Sequence, residues 1–437
     1  MLIKSLCSIN YLALALVLLL STATLCPAAA LSQPRHFPSG THEVYIAKTD
    51  GVRSDLLKNI APIIEKSISN GKYPGAVVLI GHKGKIIYRG TFGNRRIIPN
   101  VAPMRFDTIF DIASLTKVVV TTPAIMQLVE QGKLDIDAPV AAYWPDFAKH
   151  GKYSVTIREL LTHTSGLPAE IPDQEAISNE DDALVRISRM RLAHAPGTKF
   201  LYSDVNFVVL AHLVEMVSNQ RIDVYAQDHI FKPLKMETTF YTPAIKFRDR
   251  IAPTEIIDKK LRWGVVHDPL AYSLGGIAGN AGVFSTAADL GAYAQSLLNG
   301  GLLPQPSPKL QAQRNHFLGP LAVSKMTTPQ TPDNLADTRG FGWDIDSRYS
   351  NRGILFPIQS YGHTGFTGTS LWIDPVTKTW IVILTSRTHP TPTKGNQLIQ
   401  DRRTIANIVS ASIIDITNLS LNNTGKGELI RAFPQYN

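Results

Sequence analysis

Two sets of β-rich apolar runs stand near opposite ends of the chain. Toward the start, Ala76-Val77-Val78-Leu79-Ile80 and Lys85-Ile86-Ile87-Tyr88 flank Gly81-His82-Lys83-Gly84, the pattern of a hairpin. Toward the end, Thr369-Ser370-Leu371-Trp372-Ile373 and Trp380-Ile381-Val382-Ile383-Leu384 flank a turn at Asp374-Pro375. Helical spacing of apolar residues marks Leu56 to Ile68, Ile157 to Leu161, Phe207 to Val217, Thr286 to Leu298 and a last helix from Gln397 to Ile416. Strand-rich ends around a helical middle predict an α+β fold. One antiparallel sheet, flanked by helices, is built from both chain ends and carries a helical insertion domain. The expected division is a sheet domain from 51–125 and 300–416 and a helical domain over 126–299. A polar lead-in over 31–50 and a polar tail over 417–437 flank these domains. Leu303 to Pro320, rich in Pro and Gln, reads as a surface loop.

The first 30 residues form a separate signal. Lys4 precedes an apolar run from Tyr11 to Leu20, and Ala28-Ala29-Ala30 offers small residues for cleavage, the pattern of a secretory signal peptide. The run is short for a membrane span, and bulky Leu25 before Cys26 argues against lipid attachment there. Cys7 and Cys26 both lie in this segment, so a mature chain would hold no disulfide, zinc-thiolate site or cysteine nucleophile. The expected location is a bacterial periplasm or cell envelope. A chain of 437 residues, 44% of them hydrophobic, can bury a large core. The net charge of +9 would favour anionic cell-wall polymers or lipid head groups. Its Lys and Arg residues are scattered, however, without a basic run or aromatic interleaving, which reads as solubility and argues against nucleic acid.

Chemistry concentrates at Ser114-Leu115-Thr116-Lys117. Three-residue spacing on a helix puts the hydroxyl and the amine on one face. The following Val118, Val119, Val120, Ala124, Ile125, Leu128 and Val129 make the helix apolar all round, hence buried. Desolvation disfavours an ammonium, so Lys117 is expected to serve Ser114 as a base. Ser114 in a first helical turn also meets free backbone N–H groups able to stabilise an oxyanion. A second copy, Ser69-Asn70-Gly71-Lys72, is broken by Gly71 and Tyr73-Pro74 and reads as a structural turn. Two further elements are Tyr202-Ser203-Asp204 before an apolar helix, and Tyr361-Gly362-His363-Thr364-Gly365-Phe366-Thr367-Gly368 opening a strand.

In this order the elements resemble the serine β-lactamase and penicillin-binding-protein superfamily. The resemblance is closest to its class C-like esterases, D-peptidases and penicillin-binding protein 4B-type proteins. It runs from about Leu56 to Pro390 and includes Phe110 to Lys117, Leu160 to Pro168, Arg250 to Glu255, and Val266 to Pro269 running on to Phe284. It implies acyl transfer in two steps, with Ser114 as nucleophile, Lys117 as partner base and Tyr202 as proton relay. His363-Thr364-Gly365 would border the substrate, and the N–H groups of Ser114 and Phe366 would form the oxyanion hole. Three positions depart from the pattern. Asp204 stands where relatives carry Asn, His363 replaces Lys and brings a weaker, pH-dependent charge, and Asn280 stands where His is common. Substrate contacts are expected at Asp204, His363, Thr364, Gly365 and His267.

The leading expectation is an exported serine hydrolase acting on peptidoglycan peptides that end in D-amino acids, or on a small ester. β-Lactam hydrolysis ranks behind both because of His363 and Asp204. A non-catalytic cell-wall peptide or β-lactam sensor is the alternative of another class, and intact Ser114, Lys117 and Tyr202 argue against it. No metal or organic cofactor is implied. His267-Asp268 lacks a third ligand at metal spacing, and His163 reads as a helix-end structural residue. Asn418 and Asn422 fit a glycosylation pattern without meaning in a bacterial host.

Overall fold

Alternate residues of the central strands divide between two apolar layers, as the two-residue period of a strand requires. In the computed structural model, which describes residues 40–304 and 315–416, Ala76, Val78 and Ile80 join Trp372, Ile381 and Ile383 on one face. Val77 and Leu79 join Leu371, Ile373, Val382 and Leu384 on the other. The described residues all fall in a unit spanning His36–Asn437.

The strands along the main path of the large sheet are β1 (Thr41–Ile46), β2 (Gly75–His82), β3 (Lys85–Arg96), β4 (Thr338–Arg339), β5 (Asp344–Asp346), β6 (Tyr361–Thr364), β7 (Ser370–Asp374) and β8 (Thr379–Thr385). They lie in the order β1-β3-β2-β8-β7-β6-β5-β4, antiparallel throughout. The pairing of β2 with β8, with Ile381 opposite Ile80 and Ile383 opposite Val78, joins the two expected hairpins into one sheet. This is the α+β arrangement read from the sequence.

Helices α1 (Ile60–Ser69) and α5 (Gln397–Ser412) cover one face through Ile60, Ile64, Ile405 and Val409. Helix α4 (Ala287–Leu298) covers the other, where Gly291 lies under the Trp380 ring and Gln295 Oε1 accepts from Trp380 Nε1 at 3.1 Å. Thr286 caps α4 by accepting from the Asp289 N–H. Helices α2 (Thr122–Glu130) and α3 (Asp204–Ser218) belong to the helical middle and share the second apolar layer through Ala124, Leu128, Phe207 and Leu210.

Several boundaries differ from expectation. Thr41–Ile46, inside the stretch read as a polar lead-in, is the edge strand β1, whose alternation is masked by its half-exposed position. The helix expected from Leu56 is broken: Ser54–Leu57 is a separate short turn, and α1 starts at Ile60. The last helix ends at Ser412, short of Ile416. The second Ser-x-x-Lys copy closes α1, with Gly71 at φ 65° and its N–H on the Ile68 carbonyl, a structural turn as read. The signal segment with both cysteines, the tail with Asn418 and Asn422, and residues 305–314 of the expected loop lie outside the described residues.

Gly362 in β6 has no room for a side chain, because a Cβ there would run into the Trp372 ring opposite. Gly362→Ala is expected to destabilise the fold by about 2 kcal/mol through overpacking, read as a lower midpoint of denaturant unfolding. An unchanged midpoint would contradict this packing.

Candidate active site

Ser114 sits on a tight 3₁₀ turn, Ala113–Leu115, ahead of a wide π-type turn at Lys117–Thr121 that leads into α2. The expected single helix is thus a composite, and π-type turns concentrate at functional sites. Ala113 holds φ 47°, an uncommon value for a residue with a side chain. The Asp111 carboxylate supports it, accepting from the Ala113 N–H at 2.9 Å and the His267 N–H at 2.7 Å. The first bond of the turn runs from Leu115 N–H to the Ile112 carbonyl, so the Ser114 N–H lies ahead of the ladder.

Lys117 is fully buried, and its Nζ lies 3.1 Å from Ser114 Oγ, as the spacing predicted. It also reaches the Asn280 carbonyl at 2.9 Å and Asp204 Oδ1 at 2.5 Å. These are three acceptors for the three protons of an ammonium. Burial works against that charge. The Asp204 carboxylate and the Tyr202 hydroxyl outweigh burial and hold Lys117 above the ordinary lysine range. The expectation of a neutral amine base is therefore corrected. Asp204, expected to meet substrate, instead turns toward Lys117 and is not among the residues lining the cavity.

Tyr202 completes the group, its hydroxyl interacting with both Ser114 and Lys117. Burial raises its pKa even against the nearby Lys117 charge, so it rests protonated. Its ring stacks on His163 with centroids 4.4 Å apart. His163 Nδ1 accepts from the Ser203 N–H at 3.0 Å, which fixes the chain beside Tyr202. Burial first, then the charges of Arg339 and Lys117, keep His163 neutral well below the usual histidine value. It is a structural support, as the sequence indicated.

Strand β6 brings His363, Thr364, Gly365 and the following Phe366 to the same cavity as Ser114 and Tyr202, a space of about 660 Å³. Two threonines fasten this strand end to the nucleophile turn. Thr367 Oγ1 donates to the Asp111 carbonyl at 2.7 Å, and Thr369 Oγ1 to the Ile112 carbonyl at 3.0 Å. Gly365 fits between them, where a Cβ would strike the Ile112 carbonyl and Thr369. The Phe366 N–H takes no part in the Gly365-to-Thr369 and Gly368-to-Gly365 turn bonds. A larger cavity of about 830 Å³, lined by Leu297, Val323, Ile345 and Tyr361, contains none of these catalytic candidates.

His363 behaves differently from expectation. Its Nδ1 meets the Thr364 carbonyl at 2.9 Å, and burial, Arg339 and Lys117 push its pKa well below the usual value. Its surroundings favour the neutral ring, whose one N–H is spent on the Thr364 carbonyl, so the expected pH-dependent charge is absent. His267 is also relocated. Its Nε2 pairs with Glu255 at 2.8 Å and its ring stacks on Phe366 at 5.4 Å, outside the cavity lining. His267 thus lies behind Phe366 and not among the residues lining this cavity. Asn280, which had no assigned consequence, contributes its carbonyl to Lys117 while its Nδ2 donates to Asp268 at 3.0 Å. Burial and the Asp204 charge push Asp268 up to about 6.

Sequence reasoning missed the arginines of the cavity wall: Arg339, Arg348, Arg387, Arg402 and Arg403. They are scattered along the chain, and no motif announces them. Asp111 was visible only as a motif neighbour, although its position three residues before Ser114 was a usable capping signal.

A family model described as Beta-lactamase matches residues 60–404. Among curated proteins, the chain is 33% identical over 377 residues to a protein of Escherichia coli (strain K12) provisionally named a D-alanyl-D-alanine carboxypeptidase. That match covers 78% of this chain and 84% of the relative. It is 32% identical over 381 residues to an N-acetylmuramyl-L-alanine amidase of Bacillus subtilis (strain 168), covering 78% and 83% of the two chains. A penicillin-binding protein homologue from Caulobacter crescentus superimposes with a TM-score of 0.66 at 19% identity, over 84% of this chain and 99% of that one.

Asp204→Asn removes the carboxylate that keeps Lys117 charged, leaving burial to pull its pKa down. A basic limb is then expected in the pH–rate profile of the variant, below about pH 10, where lysine ordinarily titrates. The parent chain should show no such limb there. A variant rate that rises with pH through this range would return the base role to Lys117.

Proposed function

The chain belongs to the β-lactamase family, and on that premise we propose that it is an exported serine hydrolase forming an acyl-enzyme on Ser114. The substrate proposed is a peptidoglycan peptide amide in the bacterial envelope, of the kind that ends in a D-amino acid. The observation that carries this reading is the contact of Ser114 Oγ with Lys117 Nζ at 3.1 Å, beside Tyr202 and open to one cavity. The names of the two curated relatives, both of which concern peptidoglycan amides, support the substrate class. The apolar N-terminal run ending in small residues supports export.

In the first step Ser114 Oγ attacks the carbonyl carbon, and the carbonyl π pair moves onto oxygen. The N–H groups of Ser114 and Phe366 receive that oxyanion. The Ser114 proton passes to Tyr202 as Tyr202 gives its own proton to the leaving nitrogen, and the C–N bond breaks. Lys117 remains an ammonium throughout, stabilising negative charge on Ser114 and Tyr202. Water then repeats the sequence on the ester, with Tyr202 taking its proton and returning one to Ser114. Neutral His363 supplies no positive charge to a substrate carboxylate, which disfavours efficient β-lactam hydrolysis.

Incubation with an activated phosphonate and with a fluorescent penicillin tests the reading. A mass increase of one phosphonyl group that Ser114→Ala abolishes is expected. Lys117→Ala and Tyr202→Phe should slow that labelling by about 100-fold or more, the usual scale for proton-transfer groups. No Ser114-dependent adduct from either reagent would sink the proposal. Turnover of a D-alanyl-D-alanine peptide, read by released D-alanine, checks the substrate class.

A further inference from the structure

Away from the catalytic cavity, a second set of chemistry-bearing side chains meets where two helices approach. His212 and Glu215 stand three residues apart on one face of α3, and Glu180 opens the helix Glu180–Arg189. One ligand atom from each, an imidazole nitrogen and two carboxylate oxygens, lies within 4.8 Å of the other two. Neighbouring residues hold the groups in this arrangement. Glu215 Oε1 accepts from the Ile222 N–H at 2.8 Å, which orients the carboxylate. The Trp144 and His212 rings pack at 69° with centroids 4.9 Å apart. The His212 ring has no hydrogen-bond partner among the described residues, although both of its nitrogens can make such bonds. Two carboxylates this close repel each other unless a proton or a cation joins them. Arg221 is near enough for its charge to act on both, but Asp223 engages it through Nε at 2.6 Å and Nη2 at 2.7 Å. Burial outweighs the Ile222 bond and, with the Glu180 charge, raises Glu215 to about 8. Burial also holds His212 below the usual histidine value, which favours a neutral ring with a lone pair to give.

We propose that His212, Glu215 and Glu180 form a zinc site that joins α3 to the helix Glu180–Arg189. Zinc accepts imidazole nitrogen together with carboxylate oxygen, and water completes its four positions. Bonds of about 2.0–2.2 Å set two ligands of a tetrahedral ion roughly 3.5 Å apart, so small side-chain rotations close the set. Calcium and magnesium take oxygen ligands and fit an imidazole poorly. None of the three residues lines the catalytic cavity, so the site stands apart from the chemistry of Ser114. Its effect is on the scaffold: the ion replaces the repulsion of two carboxylates by a bond between helices. The helix it grips begins at Asp204, the partner of Lys117. His-x-x-Glu spacing along α3 supplies only two donors, and the third comes from a separate helix, which is why the sequence implied no metal.

Titration of the chelator-treated, untagged protein with Zn2+ near neutral pH tests this. A saturable rise in the thermal unfolding midpoint is expected, with one equivalent of zinc retained after dialysis. His212→Ala and Glu215→Gln should each weaken zinc binding by about 100-fold or more, the upper end of what even an outer-sphere change costs. Glu215→Gln keeps an oxygen for the Ile222 N–H and removes one of the two opposed charges. In chelator its midpoint should therefore equal or exceed that of the parent chain, so a loss of the zinc response is not a loss of fold. No saturable rise and no retained zinc in the parent chain would overturn the site, leaving Glu180 and Glu215 as a pair that shares a proton. An equal response in the parent chain and both variants would also overturn it, because the zinc would then sit elsewhere.

Discussion

A buried ammonium is the constraint around which this site is assembled. Lys117 has no access to water, and the desolvation cost of such a charge is several kcal/mol, on the order of what stabilises a whole domain. The fold meets it with acceptors from three separate segments: Ser114 on the nucleophile turn, Asp204 at the start of α3, and the Asn280 carbonyl before α4. Each acceptor thereby holds its segment at the catalytic centre. The same interaction that solves a solvation problem also positions Ser114, the proposed nucleophile.

Beside that centre stand two carboxyls, Asp111 and Asp268, each with defined partners. Asp111 gathers the N–H groups of Ala113 and His267, joining the nucleophile turn to the 267 segment. Asp268 caps the short helix Pro269–Ser273 and receives the Asn280 amide, which fixes the carbonyl that Lys117 uses. Thr367 and Thr369 tie the end of β6 to the backbone just before Ser114. The result is a set of groups held in place by the protein's own hydrogen bonds, the kind of preorganisation that electrostatic catalysis uses.

Much of this was legible from residues alone. The two hairpins, the helical middle and the antiparallel sheet followed from strand and helix periodicity. Ser114, Lys117 and Tyr202 followed from ordered motifs together with an apolar run that implied burial. The edge strand Thr41–Ile46 was missed because an edge exposes one row of side chains and blurs the alternation. The turn structure at Ala113 and the π-type turn at Lys117–Thr121 also left no readable signal, since apolar residues suit any buried helix equally.

The sequence by itself singled out the groups proposed to carry the chemistry, because hydroxyl, amine and phenol must be present as residue types in a given order along the chain. Only the tertiary structure decided their charge states. Whether Lys117 is neutral depends on Asp204 lying 2.5 Å away, and whether His363 is charged depends on burial beside Arg339 and Lys117. Protonation is set by the distances and solvation of groups remote in sequence, which local pattern does not encode. For the same reason the arginine-rich wall of the cavity exists only where the segment after β8 and helix α5 pack beside Ser114.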